Sequence, residues 1–134
     1  MKGKILLIYM LIGTILVGCN HDNQSNREPL IKQVKSFYPK DISTLDRLEI
    51  LRSDGERKKV ENKERIIRWL DQIGKLDVNV DTNLEDHSGS LFIVNLSEGD
   101  NKMFFLTPTS INGTRISPNQ DLADLMLQFW DEQK

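Results

Sequence analysis

The sequence predicts an α+β domain: a mainly antiparallel sheet of about five to six strands, two main helices and a short N-terminal helix. Three observations predict it. Two stretches, near residues 62–73 and 118–130, carry apolar side chains at helical spacing behind a capping signal. Short apolar runs elsewhere are joined by Asp-Gly and Asn-Gly pairs, the residues that tight hairpins require. No repeated strand–helix–strand unit is present, which argues against a parallel sheet.

In chain order, Pro29 to Tyr38 comes first. Leu30, Ile31, Val34, Phe37 and Tyr38 form the stripe of a short helix lying on a core, with Pro29 at its start and Pro39 stopping it. Leu45 to Arg52 reads as a strand, with Leu48 and Ile50 on one face and Leu45 and Leu51 on the other. Asp54-Gly55 turns the chain into Glu56 to Val60, a highly charged strand expected at a sheet edge. Asn62 is placed to cap a helix running to about Ile73, its stripe formed by Ile66, Ile67, Leu70 and Ile73 with Trp69 alongside. Gly74 is expected to supply a left-handed stop.

Leu76, Val78 and Val80 alternate as a third strand, and Asp81 to Gly89 reads as a polar loop. Ser90 to Leu96 is apolar on both faces and is expected at the centre of the sheet. Glu98-Gly99-Asp100-Asn101 turns into Lys102 to Thr107, and Asn112-Gly113 closes a hairpin between Ser110-Ile111 and Thr114 to Ile116. Ser117-Pro118-Asn119-Gln120 matches a capping box with proline at the first helical position. Leu122, Leu125, Met126, Phe129 and Trp130 then form a stripe expected to pack on the sheet.

Composition narrows the function classes. With 134 residues, 28% of them charged and 38% hydrophobic, the chain suits one globular domain and not a disordered tail. Its net charge is −2, and removal of Lys2 and Lys4 with a leader leaves −4. Nucleic acid is therefore not an expected partner, because phosphate backbones are held by clustered lysine and arginine. The short basic run Arg57, Lys58 and Lys59 is flanked by Asp54, Glu56 and Glu61 and reads as a solvated strand edge that discourages sheet pairing.

The N-terminus carries an address. Lys2 and Lys4 precede the apolar run Ile5 to Val17, and Gly18 and Cys19 follow it. Ile5 to Gly18 as a helix spans roughly 21 Å, short of the about 30 Å of a hydrocarbon core, so a cleaved leader is expected and not a membrane-spanning helix. The tetrapeptide Leu16-Val17-Gly18-Cys19 resembles the lipobox of bacterial lipoproteins. That resemblance implies diacylglycerol on the Cys19 sulfur, cleavage after Gly18, and Cys19 as the first mature residue. Two acyl chains anchor stably where one binds only marginally. By resemblance to enteric lipoproteins, an Asp after the cysteine would mark retention in the inner membrane; Asn20 stands there, so the choice of membrane stays open.

The chain thus divides into a leader (1–18), a lipidated cysteine with a polar tether (19–28) and one α+β domain (29–134). The tether's r.m.s. reach of roughly 15–18 Å keeps the domain close above the headgroups at the extracytoplasmic face. The layout of charged hairpin, helix, strands and closing helix also loosely resembles small membrane-anchored proteins of bacilli, a likeness of element order that implies no function.

No catalytic constellation emerges. The single cysteine, Cys19, is committed to lipid, His21 lies in the tether and His87 in the polar loop, and no serine sits in a nucleophile elbow. Asp81, Asn83, Glu85, Asp86 and His87 gather oxygens and one imidazole, but Leu84 interrupts them and their spacing fits neither a calcium loop nor a zinc site. Asp121 and Asp124 are explained by the dipole of the last helix. The sequons at Asn95 and Asn112 are coincidences in a bacterial lipoprotein. No metal or cofactor is expected. Trp69 and Trp130 are expected in the core, and their exposure would instead mark a docking face.

Two functional expectations follow. One is a non-enzymatic binding module tethered to the cell membrane, acting on an envelope protein or wall component. The other is an envelope hydrolase, or an accessory or inhibitor domain, using the Asp81–His87 loop.

Overall fold

The computed structural model describes residues 28–82 and 91–134. The fold is α+β: two helices and a six-stranded antiparallel sheet, with a two-stranded antiparallel sheet beside it. The N-terminal stretch corrects one detail. It is not an α-helix but a strand, β1 (Leu30–Gln33), followed by a single 3-10 turn, Val34–Phe37. A ten-residue stripe has little helical stability of its own, and here the backbone is taken by a ladder to Val80, Asn79, Val78 and Asp77. Leu30 and Ile31 are left 51% and 58% exposed, while Val34 is fully buried and Phe37 and Tyr38 pack against the core.

β2 (Arg47–Arg52) and β3 (Arg57–Val60) form the expected hairpin, with Gly55 at φ +88° in its turn. β3 is an edge strand. Leu45 does not share a strand face with Leu51. It precedes β2 behind a 3-10 turn, Ile42–Thr44, that is capped by Asp41, and it is buried with Leu48 and Ile50.

Helix α1 (Lys63–Gly74) begins at Asn62, whose side-chain oxygen accepts from the Arg65 amide. Its buried stripe is Ile66, Trp69, Leu70 and Ile73, so Trp69 takes the inner position expected for Ile67. Gly74 is not a left-handed stop: it lies inside the helix, and the chain leaves through Lys75 at φ −81°. The glycine serves close approach instead. A Cβ there would stand 3.2 Å from the Lys35 Cβ and 3.3 Å from the Tyr38 hydroxyl.

β4 (Asp77–Val80) pairs with β1 outside the main sheet. β5 (Phe92–Glu98) lies between β2 and β6 (Asn101–Thr107), the central place its two-sided apolarity predicts. β7 (Ser110–Ile111) and β8 (Thr114–Arg115) close the sheet through Asn112 and Gly113, both at positive φ as a two-residue hairpin demands. A Val80–Ile116 bridge links β4 to the chain leaving β8.

Helix α2 (Gln120–Asp131) is capped by Asn119, not Ser117. The Asn119 side-chain oxygen accepts from the Leu122 amide while its Nδ2 donates to the Asp77 carbonyl. The Ser117 amide is bonded to the Asn79 carbonyl, which holds that residue beside β4 and outside the helix. Leu122, Met126, Phe129 and Trp130 are buried, with Leu125 at the margin.

Candidate functional site

The helices cover one face of the six-stranded sheet. Leu48, Ile50, Val60, Phe92, Val94, Leu96, Phe104 and Leu106 point into the core they share. Trp69 stacks on Phe129 with ring centroids 4.9 Å apart and donates from Nε1 to the Leu125 carbonyl; Trp130 packs on Phe92 at 5.8 Å. Both tryptophans are core residues, 3% and 2% exposed, and neither forms a docking face.

The opposite face is open. Strand alternation puts every second residue there, and the registers align them in rows. One row runs Arg57, Leu51, Ile93, with Leu91 one step beyond Ile93 on the same strand line. The next runs Lys59, Glu49, Asn95, Phe105. A third joins Arg47 and Ser97 to Lys102, where a bulge at Leu96/Ser97 leaves Met103 without a partner of its own. Seven large apolar side chains are exposed among the described residues, and Leu91, Ile93, Met103 and Phe105 are four of them. Clustered exposure of this kind calls for an explanation, where scattered exposure does not.

The face also carries most of its charge as cation. Arg57 pairs with Glu49 at 3.2 Å and Arg47 with Glu61 at 3.7 Å. Lys59 and Lys102 have no ion pair among the described residues. The basic run therefore divides by alternation in a way its composition conceals. Arg57 and Lys59 face the open side, whereas Lys58 turns inward, donating to the Trp130 carbonyl at 3.2 Å and the Gln133 carbonyl at 2.7 Å. Its ammonium lies 4.4 Å from the Trp130 ring centroid, and the Arg52 guanidinium lies 4.8 Å from the same ring. Arg52 also binds Asp54, and that hydrogen bond holds the Asp54 carboxyl below the usual carboxylate range. The only cue to the inward lysine is its period-two position between Arg57 and Lys59.

Turn geometry supports the open face. The Asp46 carboxylate accepts from the Gly99 amide at 3.1 Å, which ties the β5–β6 turn to the start of β2. Below the sheet, the Tyr38 hydroxyl donates to the Leu70 carbonyl at 2.6 Å, and the ring meets Phe104 edge-on at 5.3 Å. Burial pushes the Tyr38 phenol well above its ordinary value.

Of the residues singled out for chemistry, Asp81, Asp121 and Asp124 are described. Cys19 and His21 lie outside the described residues, as do Asn83, Leu84, Glu85, Asp86 and His87. Asp81 is described, at the end of β4, where its amide donates to the Arg115 carbonyl at 2.9 Å. Asp121 lies in the first turn of α2, and Asp124 accepts from Gln120 at 2.7 Å. Among the described residues no three of His, Cys, Asp and Glu are grouped to hold a metal ion. Among the described residues, surface hollows lie along α1 and α2; one is lined by Arg65, Arg68, Trp69, Gln72, Phe129 and Glu132. No protein-family model, curated protein or solved structure matches this chain.

Proposed function

We propose that this chain is a lipid-anchored, non-enzymatic binding module displayed at the extracytoplasmic face of a bacterial cell membrane. The observation that carries the location is Leu16-Val17-Gly18-Cys19 at the end of an apolar run behind Lys2 and Lys4. The observation that supports binding is the open sheet face, where Leu91, Ile93, Met103 and Phe105 stay in water beside Arg47, Arg57, Lys59 and Lys102. Keeping large apolar side chains exposed costs solubility, and a surface that retains them clustered is one that is covered in use.

Anchoring follows from the sulfur. Two acyl chains joined through one thioether would hold the domain at the bilayer. No helix among the described residues is long and apolar enough to cross a membrane. Mass spectrometry of the protein from its native membrane tests the reading directly: the expected product starts at diacylated Cys19. A free Cys19 thiol, or a chain that still begins at Met1, refutes it.

A further inference from the structure

We propose that the open sheet face docks flat on an anionic phospholipid surface. Ile93, Met103 and Phe105 would enter the boundary between headgroups and acyl chains, while Arg47, Arg57, Lys59 and Lys102 meet lipid phosphates. The inference rests on the anchor at Cys19 proposed above and adds what the tethered domain touches.

Charge selects the partner. The whole chain is net negative at −2, yet this face sets four cations against Glu49 and, at the end of β3, Glu61. A surface whose sign opposes that of its own protein attracts an anion and repels a second copy of itself. The apolar side chains narrow the choice further. A soluble polyanion would neutralise Lys59 and Lys102 but leave Ile93 (37% exposed), Met103 (39%) and Phe105 (41%) in water. An anionic bilayer takes both kinds of group, phosphate at the rim and acyl chain beneath.

Shape and tether agree with that choice. The registers that align Arg57, Leu51 and Ile93, and Lys59, Glu49, Asn95 and Phe105, set these side chains in neighbouring rows across one continuous sheet face. Only eight residues, Asn20 to Arg27, separate the proposed anchor at Cys19 from the first described residue, Glu28, so the domain is confined close to the bilayer. At such confinement even a weak lipid contact is populated, because docking becomes intramolecular.

The test uses the mature lipidated chain purified from membranes, in which Cys19 is blocked and one new thiol can be labelled. An environment-sensitive fluorophore is placed by Met103→Cys on the sheet face and, separately, by Leu127→Cys on α2, where Leu127 is 44% exposed. Each is reconstituted in vesicles of phosphatidylcholine alone or mixed equally with phosphatidylglycerol. The expected result is a several-fold, blue-shifted rise for the Met103→Cys probe on the anionic vesicles only, with the Leu127→Cys probe unchanged. Lys59→Gln with Lys102→Gln should lower the docked fraction relative to the undocked by about 25-fold, about five-fold for each lysine.

Equal signals in the two lipids would overturn the inference. So would an equal response from the Leu127→Cys probe. A rise of the same size with polyglutamate in place of anionic lipid would assign the face to an acidic polypeptide, and a rise with protein concentration alone would assign it to self-association; either overturns lipid docking. A chain that floats with vesicles while its sheet-face probe stays wet refutes this inference alone. A chain that floats with neither vesicle refutes the anchor as well.

Discussion

Tyr38→Phe should destabilise the domain at neutral pH and relatively stabilise it in strong alkali, with a crossover whose position follows from the structure. The substitution keeps the ring against Phe104 and removes only the hydroxyl that donates to the Leu70 carbonyl at 2.6 Å. That carbonyl also lies within the hydrogen-bonded ladder of α1, so its loss of one donor leaves no orphaned acceptor. A neutral hydrogen bond of this kind contributes about 1 kcal/mol net.

Burial raises the Tyr38 phenol above its unfolded value of 10.0. Above that pH the unfolded chain releases a proton that the folded chain keeps. Stability is therefore intact below about pH 10 and falls with a limiting slope of about 1.4 kcal/mol per pH unit, until the folded phenol itself ionises. The phenylalanine variant has no such slope. A 1 kcal/mol deficit is cancelled at about pH 10.6, beyond which the variant is the more stable. Urea unfolding of the chain from Asn20 onward, followed by circular dichroism from neutral pH to about pH 11, measures both quantities. Parallel pH profiles for the two proteins would show that Tyr38 is not held neutral by burial, and the reasoning would fail.

Other outcomes follow from the same geometry. Lys58→Met should cost about 1–2 kcal/mol in urea unfolding, because the Trp130 carbonyl in the last turn of α2 and the Gln133 carbonyl just beyond it lose their cation and the Trp130 ring loses one of two; a stability change within experimental error would show those contacts to be idle. Asn119→Ala should cost about 1 kcal/mol while Ser117→Ala costs close to nothing, since only Asn119 caps α2. The reverse order in thermal melts would return the cap to Ser117.

Much of this fold is legible in the chain because the signals are local. Asn62 starts α1 as its position predicts, and Asp54-Gly55 and Asn112-Gly113 turn where only small or φ-tolerant residues can. The two-sided apolarity of β5 reports its central place. The N-terminal stripe misleads because an amphipathic pattern of ten residues is compatible with a helix, yet the β4 backbone offers it a ladder. Gly74 misleads for a related reason. A glycine after an apolar stripe signals a left-handed cap, whereas here it makes room for Lys35 and Tyr38, which come from a distant part of the chain.

The candidate surface was less visible still. Leu91, Ile93, Met103 and Phe105 read as ordinary strand residues, and nothing in their spacing says which face the helices will cover. The sequence by itself determined the tight turns and the two helices, because each rests on a few neighbouring residues. Only the tertiary structure decided that α1 and α2 share one side of the sheet, that Lys58 turns inward between two outward cations, and that four apolar side chains on the other side of the sheet remain in water. Those outcomes depend on strand register and helix placement, which are set by contacts between residues far apart in the chain.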